Sequence, residues 1–143
     1  MIFGIGRYSN ALRILVCVVL AGLLALAVQI PPFSLRRLLI GVGVFTGPEL
    51  AFLEIAVGTI NALIVTLICL LVLRGPILWL TTASVVVQIV GIEWAYGFRQ
   101  GGETVTDSLL RYTEHVGVIL GGAIALWIHR TLIRPRSSVS AVK

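Results

Sequence analysis

Two polar residues inside a long apolar run are the first candidates for chemistry. Glu54 and Asn61 are seven residues apart, so on an α-helix they lie on nearly one face. The small residues of that face are Gly58, Ala62 and Thr66. Ionisable groups in apolar spans are costly unless they are paired or hydrated, so this stripe could form a proton, ion or ligand site. Hydrogen bonding between helices along a small-residue seam is the alternative, and in both cases we expect the stripe to face protein.

Gln88 is the corresponding polar residue of a second apolar run. It shares one helical face with Thr81 and Ser84, and Gly91 and Ala95 continue that face. Two runs therefore carry compatible seams of small and polar residues. We expect polar packing inside a helix bundle, and an ion pathway that includes Gln88 is the alternative.

Charged residues gather at the start of the last apolar run. They are Glu103, Asp107, Arg111, Glu114 and His115. Spacings of three or four residues allow salt bridges on one helix. The cluster could line a site together with Glu93, although a solvated helix entrance is the simpler interpretation.

Two histidines lie on this last run. His115 and His129 are fourteen residues apart, which puts them on nearly the same side of an ideal helix. Their spacing resembles that of the ligands in di-haem cytochrome b helices, where each haem takes one histidine from each of two helices. Because the chain has only 2 histidines, b-type haem would require a dimer or a partner that supplies further ligands. Otherwise both are ordinary residues near the helix ends.

A repeat of small residues on the same run predicts close helix packing. Gly117, Gly121 and Ala125 recur every four residues and form a groove that another helix backbone can approach. The partner helix could belong to this chain, to a second copy or to another protein.

The cysteines and the motif search give no sign of an enzyme. Cys17 and Cys69 lie in apolar runs without a CxxC or a Cys/His cluster, so we expect small hydrophobic residues and no metal site. Both lie near helix ends on the same side of the membrane, which leaves a redox pair as an alternative. HExxH, GxSxG and P-loop motifs are absent from the sequence, and we assign no catalytic residues.

Four apolar runs must position all of these residues. The 143 residues are 58% hydrophobic and 12% charged, with a mean hydropathy of +1.06, which a soluble domain of this size could not bury. We predict an all-α polytopic protein with a single membrane domain over residues 1–143. Its transmembrane helices are predicted at 14–30, 51–73, 77–96 and 109–133, since each span needs ~20 apolar residues. The apolar patch at 38–45 predicts a short re-entrant or interfacial helix between the first two spans.

The basic residues predict the orientation. With four spans, seven of the 11 Lys and Arg residues lie on the side of both termini, which places the termini in the cytoplasm and makes residues 134–143 a basic cytoplasmic tail. The net charge of +5 comes from residues near span ends, and no basic run is interleaved with aromatic residues. The sequence therefore predicts a lipid bilayer as partner and excludes nucleic acid.

The segment PELAFLEIAVG carries a family resemblance. With Glu54 four residues before Gly58, it resembles the DoxX-like family of small four-helix bacterial membrane proteins. The resemblance spans residues 45–133 and rests on an acidic-x3-glycine pattern. It implies a four-helix bundle that works as a membrane subunit beside quinone or thiol redox enzymes, without catalytic residues of its own.

Small size and small-residue seams favour one function over two others. We expect a non-catalytic accessory or anchoring subunit of a larger complex, respiratory or otherwise energy-transducing, in the bacterial inner membrane. Its partners would be lipid, other membrane subunits or further copies of the chain. A small oligomeric transporter or channel that uses Glu54 and Asn61 is the alternative. A b-type haem subunit that uses His115 and His129 is the third.

Overall fold

The structure is a computed structural model that describes residues 10–29, 48–73, 75–97 and 105–133. These residues form α1 (Asn10–Gln29), α2 (Pro48–Val72), α3 (Ile77–Gly97) and α4 (Val105–Ile128), and α4 continues into a π-helical turn, His129–Ile133. All four helices are long and apolar enough to cross a membrane. The prediction of an all-helical protein with four candidate spans is confirmed.

Local sequence explains where α2 begins and ends. Pro48 is the first residue of the helix, a position at which the missing N–H of proline removes no helical hydrogen bond. After Val72, a short connection that contains Gly75 and Pro76 reverses the chain direction before α3. The N–H of Leu80 then donates to the carbonyl oxygen of Pro76 at 3.0 Å as α3 begins.

Consecutive helices alternate in direction, so α2 and α4 run parallel to each other, as do α1 and α3. The tightest packing joins α2 to α4, while α1 packs on α3 and α2. Glu93 lies near one end of the bundle, where α1 and α3 end and α2 and α4 begin; we call this the Glu93 end. Arg13 lies near the opposite end, which we call the Arg13 end.

The buried apolar residues form two clusters at different depths. The cluster nearer the Arg13 end comprises Cys17, Ala21, Val65, Cys69, Leu70, Leu73 and Leu80. The other contains Ala62, Ile92 and Val118. Trp79 and Trp94, 64% and 63% exposed, lie at opposite ends of α3, as interfacial aromatic residues do in a bilayer. With many exposed Leu and Val side chains between them, this surface fits a lipid environment.

Three of the sequence predictions concern residues that the structure does not describe. The re-entrant or interfacial helix at 38–45, the basic tail at 134–143 and Glu103 lie outside the described residues. The described spans differ from the predicted ones by a few residues at their ends. The largest differences are at α1 and α4, which begin at Asn10 and Val105.

Candidate functional site

The glycine repeat of α4 packs against the backbone of α2. A Cβ atom added at Gly117 would overlap the carbonyl oxygen of Ile55, and one added at Gly121 would overlap that of Thr59. The four-residue spacing therefore serves a helix contact within this chain. No second copy or other protein is needed to explain it.

The α2 side of this contact also consists of small residues. A Cβ atom at Gly58 would lie 2.8 Å from the carbonyl oxygen of Glu114 and 3.4 Å from the Cα atom of Gly117. Ala62, one turn further along α2, is fully buried and faces Gly121. Ala125 is also fully buried. We call Gly58, Ala62, Gly117 and Gly121 the glycine seam.

The polar residues of the α2 stripe lie in the interior. Glu54 is 1% exposed and Thr66 is fully buried. The Oγ atoms of Thr66 and Ser84 are 3.0 Å apart and share a hydrogen bond between α2 and α3. Both sequence interpretations of the stripe agree with this burial, because functional and packing groups alike must avoid lipid.

Gln88 also bonds to Ser84 and so continues the hydrogen-bond network along α3. Its Nε2 donates to the carbonyl oxygen of Ser84 at 3.2 Å and to the Ser84 hydroxyl at 3.3 Å. Thr81, one turn before Ser84, is buried and donates to the carbonyl oxygen of Ile77. The predicted shared face of Thr81, Ser84 and Gln88 is therefore a buried polar face. Gly91 does not take part in close packing, since a Cβ atom added there meets nothing within 4 Å.

A small cavity lies where the four helices meet. Its polar lining consists of Asn61 on α2, Gln88 on α3 and Glu114 on α4, and α1 contributes Ala25. The cavity admits about one water molecule. Sequence spacing indicated Asn61 and Gln88 separately and assigned Glu114 to the charged cluster. Their shared cavity depends on how the helices rotate about their axes, which spacing alone does not reveal.

An ion cluster joins α3 and α4 at the Glu93 end. The Glu93 carboxylate lies 3.4 Å from Nη1 of Arg111 and 3.2 Å from Nε2 of His115. The Tyr112 ring contacts both partners, edge-on to His115 and beneath the Arg111 guanidinium. The side chain of Glu93 is 45% exposed, so water screens these pairs. The cluster connects α3 to α4. It lies next to Glu114, which lines the cavity.

The two histidines have different surroundings. His115 belongs to the ion cluster, while His129 is 4% exposed in the π-helical turn at the other end of α4. A haem ligand must direct a ring nitrogen at the iron, and Nε2 of His115 lies 3.2 Å from a carboxylate oxygen of Glu93. His115 is therefore placed beside a carboxylate, and haem binding stays a prediction.

The cysteines are neighbours. Both Cys17 and Cys69 are fully buried and free, and they belong to the same apolar cluster. The sequence predicted small apolar residues and left a redox pair as the alternative, because both cysteines lie at a similar depth from the same end. Within the described ranges, no group of three or more His, Cys, Asp or Glu residues could hold a metal ion.

Comparison of the chain with protein-family models, with curated proteins and with solved structures gives no match. The resemblance to the DoxX-like family therefore stays a prediction. The functional interpretation depends on the geometry of the bundle.

Proposed function

We propose that this protein is a non-catalytic integral membrane subunit, an accessory or anchoring component of a larger energy-transducing membrane assembly. Within that assembly its central cavity would carry protons or small cations. The supporting observation is the meeting of Asn61, Gln88 and Glu114 around one cavity inside an apolar bundle. Polar and ionisable groups at such positions reduce stability and typically mark proton or ion pathways in membrane proteins.

The size of the cavity restricts what can use it. Space for about one water molecule excludes a metabolite but is enough for a proton relay or a dehydrated small cation. A single chain of 15.4 kDa whose four spans surround such a cavity fits an auxiliary role better than a complete transport cycle for a large solute. The small size of the cavity therefore favours a role as one subunit of a larger assembly.

The proposal includes a location and an orientation. The protein lies in the bacterial inner membrane with both termini in the cytoplasm, so the Arg13 end is cytoplasmic and the Glu93 end is external. A short re-entrant or interfacial helix connects α1 to α2 on the external side. Lipid and other membrane subunits, or further copies of the chain, are the partners. A C-terminal reporter that is active only in the cytoplasm tests the orientation.

The test of the main proposal is purification of the tagged protein at its native expression level in a gentle detergent. Mass spectrometry then gives the stoichiometry, and an absorption spectrum of the same sample tests for haem. We expect stoichiometric partner proteins. Asn61→Leu should retain the same partners while the proton-linked activity of the assembly falls. A colourless homo-oligomer without partners would overturn the subunit proposal.

A small oligomeric transporter or channel is the second candidate, because all four helices of one chain contribute to the cavity. It predicts proton or cation flux by the purified protein in liposomes, followed with a pH-sensitive or cation-sensitive dye. Glu54→Gln and Glu114→Gln should reduce the flux to that of empty liposomes. Glu93→Gln is the matched control, since its carboxylate is half-exposed in the ion cluster. Flux that survives both the Glu54→Gln and the Glu114→Gln substitution would exclude this candidate.

A further inference from the structure

Cys17 and Cys69 both lie inside the apolar cluster near the Arg13 end. The Cys17 thiol donates to the carbonyl oxygen of Leu80 at 3.4 Å, and Leu80 and Cys69 belong to the same buried cluster. Both cysteines are fully buried. The two thiols thus lie on different helices, α1 and α2, but within one packed environment.

This contact connects the bundle to its least buried helix. Among the described residues of α1, only Cys17 and Ala21 are buried, whereas Leu15, Val19 and Leu23 are exposed. The α1 helix is therefore attached along one narrow stripe. A covalent bond between Cys17 and Cys69 would fix that stripe to α2.

A basic side chain lies close to the pair. Arg13 is one turn before Cys17 on α1, and its side chain packs against Gly75 in the connection between α2 and α3. The thiolate is the form of a cysteine that attacks oxidants. Of the two cysteines, Cys17 is the one that lies one turn from this basic residue.

We propose that Cys17 and Cys69 are a reversible dithiol–disulfide pair that a hydroperoxide oxidises. The Cys17 thiolate attacks one peroxide oxygen, the O–O bond breaks, and the departing hydroxide takes up the proton that Cys17 released. The Cys69 thiol then attacks the sulfenic acid, the S–S bond forms and water departs. Overall, two thiols and one hydrogen peroxide give one disulfide and two waters. A dithiol such as dithiothreitol reverses the reaction by exchange.

Burial determines which oxidants can act. Fully buried thiols in an apolar cluster are inaccessible to bulky or charged reagents, whereas hydrogen peroxide is small and uncharged. Native protein should therefore resist a charged methanethiosulfonate and still form the disulfide with peroxide. This inference does not depend on the proposed function of the cavity.

The test uses the full-length protein in native membranes. After hydrogen peroxide treatment the protein is denatured, and a maleimide mass tag counts the free thiols on a gel. We expect wild type to pass from two tags directly to none and dithiothreitol to restore both, with a Cys17–Cys69 cross-linked peptide in the mass spectrum. Cys17→Ser should keep its one tag at the peroxide dose that removes both from wild type, whereas Cys69→Ser should lose its tag to the sulfenic acid of Cys17, which dithiothreitol reverses.

Three outcomes would overturn the proposal. Wild type that keeps both tags at doses that oxidise a reference dithiol protein would show that the pair does not react. A one-tag species that resists dithiothreitol would show independent over-oxidation of one sulfur. A cross-linked dimer on a non-reducing gel would show that the bond forms between chains.

Discussion

The two faces of α2 pack in different ways. Towards α4, Gly58 and Ala62 of the glycine seam bring two backbones into direct contact. Towards α1 and α3, Thr66 bonds to the Ser84 hydroxyl and Cys69 packs in the apolar cluster. Asn61 lines the cavity together with Gly58 of the seam and Glu114 of α4. One helix thus carries a rigid contact on one side and polar bonds on the other, and the cavity borders the rigid contact at Gly58.

This difference teaches which part of the bundle can change. Backbone contact through glycines tolerates no added atoms, so the relative position of α2 and α4 is strongly determined. The polar face is held by side-chain hydrogen bonds, which contribute about 0.6 kcal/mol each inside membranes. Substitution of Thr66 can therefore change a polar bond without disturbing the α2–α4 pair.

The largest expected effect is a break in the glycine seam. Gly121→Ala should reduce the free energy of unfolding by about 3 kcal/mol, because its Cβ atom would overlap Thr59 and approach Ala62. Unfolding in mixed micelles, followed by circular dichroism, measures this. Gly91→Ala is the matched control and should cause no loss, since its Cβ atom has open space. Equal losses in the two variants would contradict the packing of α2 on α4.

A smaller effect is expected on the polar face. Thr66→Val keeps the side-chain shape but removes the bond to Ser84, so stability should fall by about 1 kcal/mol. The same unfolding assay applies. Thr82→Val is the control, because that exposed hydroxyl bonds only to Leu78 in its own helix. Equal stability of Thr66→Val and Thr82→Val would show that the bond between α2 and α3 does not stabilise the bundle.

The smallest effect is expected at the ion cluster. Glu93→Gln should change stability by about 0.5 kcal/mol or less, since its carboxylate is half-exposed and screened. The change should shrink further at high salt, where exposed ion pairs weaken. Unfolding at low and high ionic strength measures both values. A large loss that is independent of salt would mean that the cluster is part of the buried core.

Local spacing predicted some of these features well. Hydropathy located the four spans, and the four-residue repeat of Gly117 and Gly121 indicated a close contact because period and helix face are local properties. The sequence did not identify the helix that packs on this repeat, and the fold shows that it is α2. The Cys17–Cys69 pair and the shared cavity of Asn61, Gln88 and Glu114 join helices far apart in sequence. Their meeting depends on helix rotation, which short-range patterns do not encode.

The unfolding free energy of Asn61→Leu tests the central claim, that the cavity is kept for function rather than for packing. Leucine has nearly the shape of asparagine and needs no hydration in an apolar bundle. The account therefore predicts that this variant is as stable as wild type or more stable, because groups retained for function often reduce stability. A loss as large as that expected for Thr66→Val would contradict it, since the Asn61 amide would then be a packing group.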